Sequence, residues 1–310
     1  MTTYFKPLFF TSILAISSCA LNSQEIKQDS LLEKKTKKVL KVNKNVSDTY
    51  EVKAVKIPDY MEFAGERVPT EKYDIKERLD RELLVNTYWQ SNGLLLMKRA
   101  NKYFPLIEPL LAKYGLPDDF KYLCVAESAL IQTPSYKGAA GYWHFMPKTG
   151  KEYGLEVNSN VDERYNLTLS TKVAAEYLKK SKEKFGSWTL AAAAYNAGNG
   201  RISQRIKEQK VENYYDLLLN PETGRYVFRI LALKEIMTNP KKYGFNFEEE
   251  DLYSYPAYEE IIVDYPIENL ADFAKKHNCT YKELKLINPW LRQTKLINVS
   301  GKKYTFKIPL

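Results

Sequence analysis

The sequence predicts a mainly α-helical domain followed by a small β-α-α-β module. Apolar residues recur with helical spacing across residues 74–113, and further helical patterns cover 161–186, 188–198 and 222–237. Between residues 74 and 240 no strands alternate with these helices, which excludes a parallel-sheet fold. The chain has 310 residues, of which 44% are hydrophobic, so it can bury a full core.

The first helical region, residues 74–113, should bury one face. Gly115 suits a helix C-cap, and Pro117 suits the start of the next helix. The core candidates on the buried face share helical spacing: Leu79, Leu83, Tyr88, Leu95, Ala100, Ile107, Leu110 and Leu111.

A mostly apolar helix is predicted at residues 120–130, and it carries a carboxylate near its end. An isolated ionised carboxylate is costly to bury, so Glu127 is predicted to be functional or paired. Cys124 precedes it on the same helix, but no histidine is close in sequence to activate the thiol. We therefore interpret Cys124 as a buried core residue.

The C-terminal region has a different pattern from the helical domain. Strand-like segments at 259–266 and 302–310 enclose two short helical segments, 268–278 and 281–289. We predict these boundaries for the whole chain: signal peptide 1–18, lysine-rich tether 19–73, helical domain 74–247, linker 248–258 and C-terminal module 259–310.

The N-terminus predicts export and lipidation. Lys6 precedes the apolar stretch 8–16, which is far shorter than the roughly 20 residues that cross a bilayer and is typical of a secretory signal. The following residues 16–19, Ile-Ser-Ser-Cys, resemble the lipobox of bacterial lipoproteins, which makes Cys19 the candidate lipidation site. The alternative is an ordinary signal peptide with an incidental cysteine. Cys124 and Cys279 alone do not form a disulfide framework.

The formal charge of +9 would suit an anionic partner, but its distribution argues against nucleic acid. Nine lysines lie between Lys27 and Lys56, in the predicted tether, and no nucleic-acid recognition motif accompanies them. No cluster of histidines and cysteines indicates zinc, so we expect neither a metal ion nor a cofactor.

Four motifs follow one another over more than a hundred residues. AESAL contains Glu127 and Ser128, GYWHFMPKTG spans residues 141–150, AAYNAG contains Tyr195 and Asn196, and PETGRYVFRI contains Tyr226. In this order they resemble the signature of family 1 lytic transglycosylases, most of all the membrane-bound murein transglycosylase D type.

This resemblance implies a lysozyme-like (goose-type, SLT) helical fold whose groove binds the glycan strands of peptidoglycan. It also implies cleavage of the β-1,4 bond between N-acetylmuramic acid (MurNAc) and N-acetylglucosamine (GlcNAc) with formation of 1,6-anhydro-MurNAc, Glu127 acting first as acid and then as base. The supporting or substrate-binding residues implied are Ser128, Trp143, His144, Phe145, Met146, Tyr195, Asn196 and Tyr226.

Several of these roles have structural alternatives. Ser128 either orients Glu127 or caps the helix end, and Trp143 and Phe145 either stack on sugars or pack in the core. His144 stands where the family usually has glutamine. It either keeps the sugar contact, weakens binding, or adds a second titration near neutral pH.

Two other functions remain open from the sequence. A hydrolytic muramidase would need a second carboxylate, and a catalytically silent wall-binding lipoprotein would need none. The candidate second carboxylates are Glu152, Glu156, Asp162, Glu163 and Glu176.

The C-terminal module resembles a degenerate LysM repeat in its element order and in its final strand after Asn288 and Pro289. That resemblance implies binding of GlcNAc-containing glycans, although a purely structural extension fits the pattern nearly as well. We expect a monomer in the bacterial envelope, anchored through Cys19 to the outer membrane and facing the periplasm.

Overall fold

The computed structural model describes residues 52–310. The predictions of a signal peptide, of lipidation at Cys19 and of most of the tether concern residues outside this range. The helices that follow are α1 Tyr73–Tyr88, α2 Gln90–Lys113, α3 Phe120–Ser128, α4 Pro147–Glu152, α5 Leu167–Phe185, α6 Trp188–Ala197, α7 Asn199–Gln209 and α8 Pro221–Thr238. The prediction of a mainly α-helical domain is confirmed.

Several helix ends are fixed by local sequence. Asn166, Ser187 and Asn220 lie just before α5, α6 and α8, and each side chain accepts a hydrogen bond from a backbone N–H of the first turn. Gly186 ends α5 with a φ of 71°, a left-handed conformation that glycine adopts without strain. The prediction that Pro117 begins α3 is wrong. That helix starts three residues later, at Phe120.

The region 74–113 is not one uninterrupted helix, because it is divided at Trp89 between α1 and α2. Leu95, predicted to be in the core, is 36% exposed, whereas its neighbours Leu96 and Met97 are buried. α7 was not singled out from the sequence.

α8 lies at the centre of the helical domain and contacts α1, α3 and α6. Its side chains Tyr226, Phe228 and Ile230 are almost completely buried in the main hydrophobic core. This arrangement brings the end of α3, where Glu127 lies, against α8.

The folded domain begins earlier than predicted from the sequence. Two short strands, β1 Glu62–Phe63 and β2 Glu66–Arg67, form an antiparallel pair inside the segment assigned to the tether. Phe63 is fully buried, and its ring contacts the ring of Phe120 edge-on at 5.2 Å. The tether therefore cannot extend to residue 73, because apolar residues near its end complete the core.

The segment assigned to the linker, residues 248–258, also packs against the helical domain. The backbone N–H of Tyr253 donates to the carbonyl of Lys98 at 3.3 Å, and the Tyr255 ring lies 6.0 Å from that of Tyr103. These contacts attach the segment to α2.

The C-terminal module has the predicted β-α-α-β order. Its elements are β3 Tyr258–Val263, α9 Leu270–Lys276, α10 Tyr281–Ile287 and β4 Tyr304–Pro309. β3 pairs with β4 in antiparallel register, with Tyr258 opposite Pro309 and Val263 opposite Tyr304. Thr280 and Glu283 cap the start of α10 reciprocally.

Across residues 52–310, no helix has the length and apolar character needed to cross a membrane.

Candidate active site

Glu127 lies in the last turn of α3, where the backbone turns sharply. Ala129 and Leu130 both have positive φ angles, 51° and 56°. The Ser128 hydroxyl accepts a hydrogen bond from the Leu130 N–H at 3.1 Å and donates to the Cys124 carbonyl at 3.2 Å. Ser128 thus makes the contacts of a helix-end cap, the structural alternative for this residue.

The Glu127 carboxyl is largely removed from water, with 16% of the side chain exposed. The Tyr226 hydroxyl donates a hydrogen bond to Oε1, and Nδ1 of His144 lies 3.9 Å from Oε2. Burial raises the pKa of Glu127 to about 7, although the Tyr226 hydrogen bond and the positive charge of Arg229 act in the opposite direction. At neutral pH the carboxyl is therefore available in both protonation states.

Residues 138–146, here called the glycine-rich loop, precede α4. Two of its aromatic residues are packed into the core. Trp143 is fully buried, and its indole N–H donates to the Thr171 hydroxyl at 2.9 Å. Phe145 is also buried, with its ring 5.7 Å from that of Tyr195. These contacts correspond to the packing alternative for both residues.

His144 and Met146 lie closer to solvent than these aromatic residues. The imidazole is beside Glu127, and its Nε2 lies 3.4 Å from the carbonyl oxygen of Thr133. His144 has a φ of 51°, a left-handed conformation in which histidine is found more often than most other residues. Met146 is 42% exposed and precedes α4. Both side chains could contact a substrate that approaches Glu127.

Tyr195 and Asn196, at the end of α6, support the site without a hydrogen bond to Glu127. The Tyr195 hydroxyl donates to the carbonyl of Trp143 at 2.7 Å, which ties α6 to the loop. Burial, together with the nearby charge of Glu127, raises the pKa of Tyr195 well above its ordinary value. The Asn196 side-chain oxygen accepts a hydrogen bond from the Thr223 hydroxyl at 2.9 Å, which ties α6 to α8.

Two arginines of α8 were not identified from the sequence. Arg225 and Arg229 flank Tyr226 along the helix, and both approach Glu82 of α1, with Nε to carboxylate distances of 2.7 Å and 3.8 Å. Glu82 is only 1% exposed. An arginine three positions after Tyr226 shares its helix face, so this spacing could have indicated Arg229. No local pattern indicates Glu82.

Each of the five candidate second carboxylates has a cationic partner. A sixth carboxylate, Glu222, acts on Glu127 through its charge. Glu222 is exposed, and its Oε1 lies 3.2 Å from Nη1 of Arg229. The five candidate carboxylates form ion pairs as follows: Glu152 with Lys148, Glu156 and Glu163 with Lys302, Asp162 with Arg164, and Glu176 with Lys172.

Cys124 is fully buried, and its thiol donates to the carbonyl of Tyr142 at 3.3 Å. Burial raises the pKa of this thiol well above its ordinary value, which suppresses the nucleophilic thiolate. Within residues 52–310, no group of three or more histidine, cysteine, aspartate or glutamate side chains could hold a metal ion.

Comparison with known proteins gives family matches for both modules. Residues 106–218 match the family model of the transglycosylase SLT domain. Residues 259–310 match the model of the soluble lytic transglycosylase C-terminal LysM-like domain. The chain thus contains an SLT transglycosylase domain followed by a LysM-like domain, which confirms both resemblances.

Among individual relatives, the chain is homologous to membrane-bound lytic murein transglycosylase D from two Escherichia coli strains. In each case it is 32% identical over 212 residues, which cover 66% of this chain and 46% of the relative. The chain therefore matches about half the length of these curated relatives. A solved structure of an inactive mutant of lytic transglycosylase Slt from Pseudomonas aeruginosa is 22% identical, with a TM-score of 0.36, over 49% of this chain and 26% of that one.

Proposed function

We propose that this protein is a peptidoglycan lytic transglycosylase in which Glu127 serves as both acid and base. The observation that carries this proposal is the buried carboxyl group of Glu127, whose pKa is raised to about 7. A carboxyl group with this pKa can donate a proton at neutral pH and take one back within the same reaction cycle.

In the first step, the protonated Glu127 donates its proton to the glycosidic oxygen between MurNAc and GlcNAc. The bond from MurNAc C1 to that oxygen breaks, and the GlcNAc side leaves with a free hydroxyl group. Positive charge develops at C1, and the ionised Glu127 lies in a site of low water content, where its negative charge acts most strongly. The Tyr226 hydroxyl stabilises this ionised state by donating to Oε1.

In the second step, the Glu127 carboxylate removes the proton from O6 of the same MurNAc residue. O6 then bonds to C1, which closes the 1,6-anhydro ring and returns Glu127 to its protonated form. Water takes no part, so the product differs from that of hydrolysis.

The ion pairs of the other carboxylates favour this route over hydrolysis. A retaining or inverting hydrolase uses a second carboxyl group about 5–9.5 Å from the first. The five candidates from the sequence are held in ion pairs with other residues. Glu222 is exposed and paired with Arg229, but its charge acts on Glu127. An experiment must therefore exclude it as a second catalytic carboxylate.

The proposal also covers the location of the protein. We assign it to the bacterial envelope, as a monomer anchored to the outer membrane through a lipidated Cys19 and facing the periplasm. The homologous E. coli proteins are membrane-bound, which supports the membrane location. The LysM-like domain supports contact with wall glycan.

The test is digestion of purified peptidoglycan with the fragment of residues 52–310, followed by mass spectrometry of the released fragments. We expect 1,6-anhydro-MurNAc ends from the unaltered fragment and at least a hundredfold less product from Glu127→Gln, since general acid–base catalysis contributes about 10²–10⁴ in rate. Glu176→Gln, which removes a carboxylate paired with Lys172, is the matched control and should keep full activity.

Two further outcomes would overturn the proposal. Reducing ends instead of anhydro ends, together with loss of activity in Glu222→Gln, would establish a two-carboxylate hydrolase. Tight binding to peptidoglycan without any release of fragments would establish a wall-binding protein.

A further inference from the structure

The segment of residues 156–165, here called the bridging segment, joins the C-terminal module to the catalytic domain through its backbone. The N–H of Asp162 donates to the carbonyl of Trp290 at 2.9 Å, and the N–H of Arg292 donates to the carbonyl of Asn160 at 2.8 Å. Val161 and Leu291 form an isolated antiparallel bridge between these bonds. The segment thus pairs with the C-terminal module much as a short edge strand would.

Buried side chains strengthen this connection. The Asn160 amide donates to the carbonyl of Lys295 at 2.7 Å, and its side-chain oxygen accepts the N–H of Ile297 at 2.8 Å. Val161 and Tyr165 belong to the hydrophobic core of the C-terminal module rather than to that of the helical domain. The core of this module is therefore incomplete without residues of the catalytic domain.

Charged residues complete the interface. Lys302, just before β4, donates to Glu156 at 2.8 Å and to Glu163 at 2.7 Å. The Tyr304 hydroxyl also donates to Glu156 at 2.8 Å. Glu163 is buried, so loss of Lys302 would leave a buried carboxylate without its counter-charge.

The bridging segment also holds the glycine-rich loop of the active site. The buried guanidinium of Arg164 is fixed by Asp162 at 2.7 Å and donates to the carbonyls of Gly138 and Phe145 at 2.8 and 2.9 Å. Between these two residues, a Cβ on Gly141 would lie 1.8 Å from the carbonyl oxygen of Arg164. The loop backbone is therefore in close contact with the segment.

The same loop carries groups that surround Glu127. Trp143 offers its carbonyl to the Tyr195 hydroxyl, and the His144 imidazole stands beside the Glu127 carboxyl. A continuous set of hydrogen bonds and packed groups therefore runs from Lys302 and Asn160, through Arg164, to the loop at the catalytic carboxyl.

We propose that the C-terminal module positions the catalytic loop through the bridging segment and Arg164, in addition to any contact it makes with glycan. The predicted effect on turnover rests on the proposed function, because it requires that the protein cleave glycan. A module used only to retain the protein on the wall would not affect turnover of short soluble glycan fragments. A module that positions the loop should affect turnover on any substrate.

The test compares Lys302→Met and Asn160→Ala with the unaltered fragment of residues 52–310. Lys276→Met, on the exposed side of the same module, removes the same charge without touching the interface and is the matched control. Two measurements are made: amide hydrogen exchange of the peptide covering residues 138–146, and kcat and KM on short soluble glycan fragments.

We expect exchange in residues 138–146 to become about tenfold faster in both interface variants, and kcat to fall roughly tenfold with little change in KM, because a small displacement of a positioned group is costly to the rate. The Lys276→Met control should match the unaltered fragment in both measurements. Lys302→Arg, which keeps the positive charge, should retain most of the protection.

Exchange that accelerates only within residues 259–310, with residues 138–146 unchanged in both interface variants, would overturn the inference. The exchange measurement does not require catalysis, so an inactive unaltered fragment would refute the proposed function while leaving this comparison decisive.

Discussion

At the scale of single residues, the properties of Glu127 result from opposing effects on one carboxyl group. Burial raises its pKa, whereas the hydrogen bond from Tyr226 and the charge of Arg229 favour the ionised form. The balance leaves the pKa at about 7, which suits a group that must both give and accept a proton. Under the proposed mechanism, we therefore expect the Tyr226 hydroxyl to affect the pH range of activity.

The first prediction concerns Tyr226→Phe, which removes only the hydroxyl group. Because the first step needs protonated Glu127, activity of the unaltered enzyme should decline as pH rises through about 7. The variant loses a group that stabilises the ionised form, so the pKa of Glu127 should rise. A hydrogen bond to a charged group contributes about 1.5–3 kcal/mol, so the midpoint should move upward by at least about one pH unit, as measured by kcat/KM from pH 5 to 9.

Tyr214→Phe is the matched control, since the Tyr214 hydroxyl is also buried and donates to the carbonyls of Thr223 and Gly224 instead of Glu127. Its pH profile should keep the midpoint of the unaltered enzyme. A midpoint of Tyr226→Phe at or below the original one would refute the assigned role of the hydroxyl.

At the scale of elements, the start of α6 depends on a residue far away in sequence. The Glu66 carboxylate accepts hydrogen bonds from the N–H groups of Trp188 and Thr189 and from the hydroxyls of Ser187 and Thr189. Burial acts to raise the pKa of Glu66, but these hydrogen bonds outweigh it and lower the pKa to about 2. A negative charge at a helix N-terminus is favourable, and here it fixes the helix that carries Tyr195 at its other end.

The second prediction is that Glu66→Gln lowers the free energy of unfolding by about 2 kcal/mol at pH 7, as measured by urea denaturation. The folded-state pKa lies below the ordinary value, so this stabilisation is fully present above about pH 4.5 and disappears as pH falls through about 2. The difference between the two proteins should therefore become small near pH 2.

Glu71→Gln removes the same charge from an exposed ion pair with Arg67 and serves as the control. It should change stability much less than Glu66→Gln does, because an exposed ion pair contributes little. Equal losses in the two variants would show that the contacts of Glu66 with α6 contribute little.

At the scale of the whole molecule, segments outside the catalytic helices are integral to the fold. Met61, Phe63 and Val68 lie around the β1–β2 pair and are buried in the main core, and Glu66 holds α6. Near the C-terminal end of the chain, Lys302 and Tyr304 bind the bridging segment. Residues near both ends of the described range thus pack against or bind the helical domain.

The third prediction compares fragments of residues 52–310 and 74–310. The shorter fragment lacks three buried apolar side chains, each contributing about 1.5–3 kcal/mol. Its free energy of unfolding should therefore fall by about 5 kcal/mol or more, with a matching loss of activity, as measured by denaturation and peptidoglycan digestion. A fragment of residues 57–310, which keeps both strands, should retain most of the stability, and equal stability of all three would refute this role of the strand pair.

The sequence by itself determined the helical fold class and the element order of the C-terminal module. It also singled out Glu127 as the candidate catalytic residue. Those features are encoded locally: capping residues such as Asn166 and Ser187 begin helices, and the Glu127–Ser128 motif lies on one short apolar helix. Only the tertiary structure decided which environment Glu127 occupies. Its pKa depends on burial and on Tyr226, 99 positions away, and α6 depends on Glu66, more than a hundred positions away.

The physical reason for this division is the range of the interactions. Helix periodicity and capping act over about four residues, so they can be predicted from short stretches of sequence. Desolvation and buried charge pairs depend on which distant segments share a core, and no local pattern encoded the contacts of Glu66, Glu82 or Lys302. The sequence thus singled out Glu127 as the candidate catalytic carboxylate, whereas tertiary packing set its proton affinity.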